Sequence, residues 1–217
     1  MLSEELIVAT TLRLIREHSA AALTVRRLGA ALGADPSALY RYFRNTDDLL
    51  LAVADELIGL ATRGWTATGA WRADLYDLGL RMHASYLQHP QAAALSTHRV
   101  TGRPHEARTI ETVLGLLRGA GFTDDQAVSL YHSYVDLTLA FAALDAAFLT
   151  LPTETRTAER DIWDQTYARL PAATHPHINA VAPLLRSEMQ RSAYPQTLQS
   201  FLETAQTRLT RQSYGRA

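Results

Sequence analysis

Arginine and tyrosine side chains cluster in one short stretch near the start of the chain. Residues 24–46 carry a single acid, Asp35, and four arginines: Arg26, Arg27, Arg41 and Arg44. Guanidinium groups bind phosphates through paired N–H donors, and they also read guanine edges in the major groove. The chain as a whole has a formal charge of -1 over 217 residues. Such local positive charge on a nearly neutral protein is typical of a small nucleic-acid-binding module.

Local signals within this stretch predict two short helices joined by a tight turn. Thr24 is a suitable N-cap for the first helix. Helical spacing places one set of apolar residues on its inner face: Val25, Leu28, Ala31 and Leu32. Gly33 can adopt the left-handed conformation that ends a helix. Asp35 can cap the second helix, whose first position, Pro36, needs no N–H partner.

The second predicted helix has an apolar side and a polar side. Leu39 and Phe43 lie four residues apart and are expected to face inward. The outer side carries hydroxyl, phenol and guanidinium groups: Ser37, Tyr40, Arg41, Tyr42 and Arg44. This face suits a groove of phosphates and base edges. The alternative is a solvated helical hairpin with scattered arginines.

The run LTVRRLGAALGADPSALYRYFRNTDDLL resembles the DNA-binding domain of the TetR family of transcriptional regulators. The resemblance rests on a preceding amphipathic helix, the segment 24–33, and the core positions Leu39, Tyr40 and Phe43. The run Asp47-Asp48-Leu49-Leu50, at the start of the following helix, also fits. This match covers about the first quarter of the chain, and the remainder matches only in length and helical character.

The resemblance implies an all-α fold with a three-helix helix-turn-helix head and a helical body for effector binding and dimerisation. The head is expected over residues 1–46 and the body over 47–217. The implied DNA-binding residues are Thr24, Arg26, Arg27, Pro36, Ser37, Ala38, Tyr40, Arg41, Tyr42, Arg44 and Thr46. Thr46 stands where the family often has a lysine that meets a phosphate, so one charged contact is missing there.

The rest of the chain reads as a series of helices with no convincing strand alternation. A first helix, capped by Ser3, is expected to turn Leu6, Ile7, Leu14 and Ile15 inward. Further helices are expected from 46 to 65, 71 to 88, Pro90 onward, 104 to 119, 124 to 150, 154 to 170, 176 to 190 and Pro195 onward. Thr123 and Gln126 form a capping box before the longest of these.

The family's effector pocket lies inside the body, which predicts a set of lining residues. These are Met82, His83, Tyr86, Leu114, Leu117, Tyr131, His132, Tyr134, Asp136 and Phe141. Such a lining favours a mostly apolar ligand with a few hydrogen-bonding groups. The tyrosines could equally belong to the core. His132 and Asp136, one helical turn apart, could orient a ligand, bind one edge of a metal site, or form an internal hydrogen-bonded pair near a dimer seam.

Two helices are candidates for a homodimer interface, as the resemblance implies. Helix 124–150 has a face of small residues that would let another helix approach closely: Ala140, Ala143 and Ala147. The last helix presents Leu198, Phe201, Leu202, Ala205 and Leu209. The alternative is that helix 124–150 is buried within its own chain.

Several function classes find no support in the residues. The chain has no cysteine, and no nucleophile–base spacing or glycine-rich phosphate loop appears. His175 and His177 lack a third ligand at metal-binding spacing, so neither a metal nor a cofactor is expected. No uninterrupted apolar run approaches the ~20 residues of a membrane span, and the N-terminus lacks a signal-peptide pattern. A soluble, cytoplasmic protein without membrane contact is therefore expected.

The sequence therefore predicts a non-enzymatic, ligand-responsive regulator that binds double-stranded DNA. It is expected to be a homodimeric repressor, released from a palindromic operator by a small, mostly apolar effector. The alternative is an all-α small-molecule-binding protein, or an enzyme, whose basic head is not a DNA reader. Salt-sensitive binding to an inverted repeat would separate the two.

Overall fold

The computed structural model describes residues 1–18, 23–97 and 99–215. Within these ranges the chain is helical and contains no strand. The α-helices are α1 Glu4–His18, α2 Val25–Leu32, α3 Thr46–Thr62, α4 Trp71–Gln88, α5 Pro90–Ser96, α6 Pro104–Gly119, α7 Asp124–Thr150, α8 Thr153–Gln165, α9 Pro176–Glu188 and α10 Tyr194–Gly215. Short 3₁₀ helices occupy Pro36–Arg41 and Tyr167–Arg169. The predicted all-α fold is confirmed.

The turn between the two motif helices forms as its residues predict. The Thr24 hydroxyl accepts a hydrogen bond from the Arg27 N–H at 3.1 Å, capping α2. Gly33 ends α2 with φ 62°, in the left-handed region that glycine enters at no steric cost. Asp35 Oδ1 accepts from the Ser37 N–H at 2.8 Å, and Pro36 follows as the first helical residue. The two helices therefore begin and end where the caps require.

The second motif helix is a 3₁₀ helix, a tighter form than the sequence indicated. Its Ala38 and Tyr42 N–H groups bond to oxygens three residues back, those of Asp35 and Leu39. The Tyr42 hydroxyl also donates to the Leu2 carbonyl at 2.7 Å, which holds the end of the helix against the N-terminal segment. Aromatic residues have weak α-helical preference, and this distant contact favours the short form.

Two predicted inward positions in the head were wrong. Leu6 is 45% exposed, and Ala31 also lies on the outer side of its helix. The inner side of α2 is formed by Leu28 and Gly29 instead. A Cβ at Gly29 would lie 3.0 Å from the Ala34 carbonyl oxygen, so the turn packs directly on this helix. The close approach between the turn and α2 decides which face of this helix turns inward. The spacing of apolar residues does not reveal such an approach.

Helix α3 joins the motif to the body, and buried side chains run continuously across the junction. One core cluster contains Leu28, Leu39 and Phe43 from the motif together with Leu49 and Leu57 from α3. The same cluster reaches α5 and the C-terminal half of α7. The head and body therefore share one packed core around α3, although α3 ends at Thr62, earlier than the predicted 65.

The body is built around α7, which packs against α4, α5, α6 and α10. The Thr123–Gln126 capping box is present at its start, and a second core cluster joins it to α4, α6 and α10. By length and composition alone, α7 could cross a membrane. Asp136 and Asp145 interrupt it, however, and core helices of soluble proteins pass the same test.

The segment between α7 and α10 differs from the rest of the body. Helices α8 and α9 contain no buried residue. They pack mainly on each other and on the intervening 3₁₀ helix. The sequence predicted one helix over 154–170, but the structure breaks it after Gln165.

Candidate nucleic-acid interface and effector cavity

The outer face of the helix-turn-helix motif is largely uncovered. Tyr40 is 55% exposed, and the Arg44 side chain is 84% exposed. The other predicted DNA-binding residues on the surface are Thr24, Arg26, Arg27, Ser37, Arg41, Tyr42 and Thr46, while Pro36 and Ala38 are half-buried. The opposite side of the motif is packed through Leu28, Leu39 and Phe43. The polar groups therefore lie together on one accessible surface.

Three hydroxyls on this surface already have partners within the chain. Thr24 caps α2, and the Ser37 hydroxyl donates to Asp35 Oδ1 at 2.6 Å. The Tyr42 hydroxyl donates to the Leu2 carbonyl. Asn45, which precedes Thr46, caps α3 by accepting from the Asp48 N–H. The Arg44 guanidinium also pairs with Asp48, with 3.4 Å between Nε and Oδ2, so Arg26, Arg27, Arg41 and Tyr40 have the greatest freedom to meet a ligand.

Arg103, which precedes α6, links three parts of the chain. Its guanidinium donates to Asp48 Oδ1 in the first turn of α3 at 2.8 Å, and to Glu4 Oε1 of α1 at 2.8 Å. The same group lies 5.9 Å from the centre of the Phe43 ring. Hydrogen bonds from the Arg44 N–H and then from Arg103 lower the pKa of Asp48. The body thus holds the start of α3 through charged, partly buried contacts.

Arg99 makes a second contact with the start of α3. Its two terminal nitrogens donate to the two Asp47 carboxylate oxygens at 2.9 and 2.8 Å. Paired bonds of this kind fix orientation as well as distance. Bonding to Arg99 lowers the pKa of Asp47. Residues 99–106 therefore form a segment, here called the junction segment, that attaches the body to the helix carrying the motif.

The junction segment is anchored from inside by a buried carboxylate on α3. Asp55, which is 5% exposed, accepts hydrogen bonds from the His105 and Glu106 N–H groups at 3.1 and 2.8 Å. It also accepts from the Thr101 hydroxyl at 3.2 Å. The N-terminal amides of α6 lack a cap from their own N-cap residue, so α3 supplies it. Such an anion at a helix N-terminus is favoured by the helix dipole.

A cavity of about 60 Å³ lies directly behind the junction segment. Four of the predicted effector residues line it: Met82, Tyr86, Tyr131 and Tyr134. Burial, then the nearby carboxylates of Glu106 and Asp55, raises the pKa of Tyr86 to about 12. Burial also raises the pKa of Tyr134 well above its usual value. The Tyr134 hydroxyl donates to the Leu75 carbonyl at 2.8 Å, so its proton is not available to a ligand.

The other predicted effector residues lie outside this cavity. Leu117 is buried in the body core, and Leu114 and Phe141 pack at its edge. His83 Nε2 lies 2.7 Å from Asp145, and its ring stacks on Tyr194. His132 and Asp136 form an exposed pair, with 3.3 Å between Nε2 and Oδ2. In place of these residues the cavity has Arg99, Thr101, Glu106 and Thr109, from the junction segment and α6.

No pattern in the sequence indicated these four polar cavity residues. They lie in a loop and the first turns of a helix, where apolar periodicity carries no information. Arg99 could be placed only by knowing its distant partner Asp47, whereas Glu106 accepts from the nearby Thr101 and Gly102 N–H groups. Charged residues in a loop normally face water, so burial against a cavity was not predictable.

The predicted dimer residues fall into two groups. Leu198, Leu202 and Ala205 are at most 2% exposed and pack inside the chain. Ala140 and Ala147 are exposed on α7, while Ala143, Phe201 and Leu209 are half-buried. An unpredicted neighbour, Leu144, is 67% exposed. Only the second group has accessible surface to offer a partner.

His175 and His177 both lie on the surface at the start of α9. Across the described ranges, no group of three or more His, Cys, Asp or Glu side chains is placed to hold a metal ion.

Known proteins match both parts of this chain. Residues 7–53 match the family described as "Bacterial regulatory proteins, tetR family". Residues 64–208 match "Tetracyclin repressor-like, C-terminal domain". The chain belongs to the TetR family. The resemblance inferred from residues 24–50 is therefore confirmed and extends over the body.

Individual TetR family members are similar to this chain in sequence and in structure. An HTH-type transcriptional regulator from Saccharopolyspora erythraea is 28% identical over 122 residues, covering 56% of this chain and 52% of that protein. The chain spans about half the length of the curated relatives it matches. A possible TetR family transcriptional regulator from Streptomyces coelicolor A3(2) has 28% identity and a TM-score of 0.75, covering 94% of this chain and 99% of that one. BioQ, solved with its natural double-stranded DNA operator, has 25% identity and a TM-score of 0.59, covering 76% and 97%.

Proposed function

We propose that this chain is a ligand-responsive, sequence-specific DNA-binding transcriptional regulator. It acts in the cytoplasm as a homodimeric repressor that a small, mostly apolar effector releases from a palindromic operator. Residues 1–46 form the DNA-binding part, and residues 47–217 bind the effector and the second copy. The observation that supports this proposal most directly is the exposed face of the motif. On this face arginines and Tyr40 lie around the turn between two helices that are capped by Thr24 and Asp35.

The motif binds DNA in two ways. Arg26, in the first turn of α2, contacts a base edge, while Arg44 contacts the phosphate backbone beside α3. The remaining surface groups position the motif on the duplex, together with the Thr46 hydroxyl. BioQ supports DNA binding by this fold, because that relative was solved with its own operator. Without the lysine common at position 46, affinity depends more strongly on the arginines.

The effector binds behind the junction segment, where Met82 and three tyrosines line the cavity. A ligand there meets Arg99, Thr101 and Glu106, the same segment that holds Asp47 and Asp48 at the start of α3. Binding therefore favours a position of α3 in which the two motifs no longer match successive grooves. A ligand changes an equilibrium only through such a difference in affinity between two states.

The second copy packs against the exposed surface of α7 and the half-buried residues of α10. Ala140, Ala143, Leu144 and Ala147 follow one another along α7 at helical spacing, with Phe201 and Leu209 on α10. Small residues let two helix backbones approach closely, and the exposed Leu144 supplies apolar area. A two-fold axis in this region presents two motifs to the two halves of a palindrome.

Selection of bound DNA from a random library tests this function most broadly. We expect an inverted repeat whose half-sites are centred about 34–36 Å apart, one turn of the duplex. Regulated genes would then be found by searching for the repeat. The proposal would be wrong if no sequence were enriched and binding remained weak at all salt concentrations. The chain would then be a small-molecule-binding protein, or an enzyme, whose basic head does not recognise a DNA sequence.

A further inference from the structure

A larger opening lies beside the cavity. This cleft has a volume of about 600 Å³ and is lined by the C-terminal half of α3, the segment after it and the first turns of α6. Its walls include Glu56 from α3, Trp65 from the segment after α3, and His105 and Arg108 from α6. Ligand sites for small molecules usually have ~300–1,000 Å³. The cleft has this size, whereas the 60 Å³ cavity does not.

The cleft and the cavity adjoin at two residues. Leu78 of α4 and Thr109 of α6 line both spaces. The Thr109 hydroxyl donates to the His105 carbonyl at 2.9 Å, so it belongs to the same turn of α6 as the cleft residues. The apolar, tyrosine-lined cavity therefore meets the open cleft at these two side chains.

Charges in the cleft are unequal. Glu56 Oε1 accepts from Arg63 at 3.2 Å, and Glu56 Oε2 lies 3.9 Å from His105 Nε2. A terminal guanidinium nitrogen of Arg108, by contrast, lies 3.0 Å from His105 Nδ1, so its neighbour is an imidazole nitrogen and not a carboxylate oxygen. The cleft lining thus has two arginines and one acid. An anionic group would find an uncompensated guanidinium there.

Charges in the cavity are already matched. Arg99 is held by both oxygens of Asp47, and Glu106 accepts from Thr101 and Gly102. What remains for a ligand is the apolar surface of Met82 and Tyr134 and the phenol of Tyr86, since the Tyr134 hydroxyl is bonded to the Leu75 carbonyl. The two neighbouring spaces therefore differ in character, one suited to an apolar body and the other to a negative charge.

We propose, on the basis of the proposed function, that cleft and cavity together form one effector site for an amphiphile with a single carboxylate. The apolar body displaces Leu78 and Thr109 and packs against the cavity tyrosines. The carboxylate binds Arg108 in the cleft, beside the indole of Trp65. Because Glu56 lies on α3, a bound carboxylate next to it also acts on the helix that carries the DNA-binding motif.

Three phenylalkyl compounds with the same body test the charge preference. They are 4-phenylbutyrate, 4-phenylbutyramide and 4-phenylbutylamine, titrated into the full-length protein by calorimetry. We expect the carboxylate to bind at least tenfold more tightly than the amide or the amine. Arg108→Gln should abolish this preference, and Arg118→Gln should preserve it. Arg118 is a matched control on the same helix, where it pairs with Asp124 away from the cleft.

Binding should also change the fluorescence of Trp65, and this change should be lost in Trp65→Phe at ligand concentrations that saturate the variant in calorimetry. Equal affinity for carboxylate and amide, or no binding by any of the three, would overturn the proposal. So would a carboxylate preference that survives Arg108→Gln in a variant with unchanged circular dichroism. Carboxylate binding at Arg108 that leaves operator affinity unchanged would support this site but contradict the effector role in the proposed function.

Discussion

The Arg103 guanidinium lies 2.8 Å from the Asp48 carboxylate, which joins the body to the first turn of the helix behind the DNA-binding motif. The two residues are 55 positions apart, and their side chains are 21% and 13% exposed. The same arginine reaches Glu4 of α1 at 2.8 Å. This side chain, together with the Arg99–Asp47 pair, therefore holds the motif on the body.

Removing this arginine should loosen the junction between body and motif. In Arg103→Ala, Asp48 and Glu4 both lose a charged partner, which should lower the free energy of unfolding by about 1–3 kcal/mol. Hydrogen exchange should accelerate in the junction segment and the first turn of α3. Arg81→Ala is the matched control, because its ion pair with Asp77 is exposed and lies within one helix. That variant should lose no more than about 0.5 kcal/mol.

Gly29 should tolerate no side chain, because α2 and the turn touch there. A Cβ in Gly29→Ala would lie 3.0 Å from the Ala34 oxygen and 3.1 Å from Pro36 Cγ. Unfolding in denaturant should show a loss of about 1–3 kcal/mol. Gly115→Ala is the control within α6, where nothing lies within 4 Å of the new Cβ. That change should stabilise the chain by about 0.5–1 kcal/mol, so equal effects of the two would contradict the close packing.

Arg26 and Arg44 should contribute differently to operator binding. Arg26→Ala should relax preference at one base pair by about 1–3 kcal/mol, because a base contact is lost. Arg44→Ala should weaken binding to all sequences alike and reduce the slope of affinity against salt by about one unit. Affinities for a panel of single-base operator variants at several salt concentrations would distinguish the two. A uniform loss in Arg26→Ala would remove its assignment as a base reader.

The motif and the succession of helices could be predicted from sequence because their determinants are local. Thr24, Asp35 and Gly33 act on neighbouring backbone groups, so caps and turns follow from residue type. The polar lining of the cavity could not be predicted, since Arg99 depends on Asp47, which the fold brings to it, and the local bonds of Glu106 do not show that it faces a cavity. Likewise, helical spacing grouped Leu198 and Leu202 with possible interface residues, but it does not distinguish the chain's own core from a partner's surface.

The exposed face of α7 should hold two copies of the chain together. Leu144→Arg would place a guanidinium against the partner at a site that is 67% exposed in the single chain. Burial of an unpaired charge is costly, so light scattering at micromolar concentration should find monomers with unchanged helical content. Leu6→Arg, at an exposed position on α1, should remain dimeric. A wild-type chain that is itself monomeric would contradict the assembly.

Binding to an operator with altered half-site spacing tests the central claim most directly. The selected inverted repeat would be compared with the same half-sites separated by five more base pairs, about half a turn of the duplex. A rigid two-fold dimer meets only one half-site in the altered operator. Fluorescence anisotropy should therefore show an affinity at least a hundredfold lower than for the selected operator, at about the non-specific level. The affinities for both operators should decrease steeply as the salt concentration rises. Equal affinity for the two spacings, or for a scrambled duplex, would contradict the account.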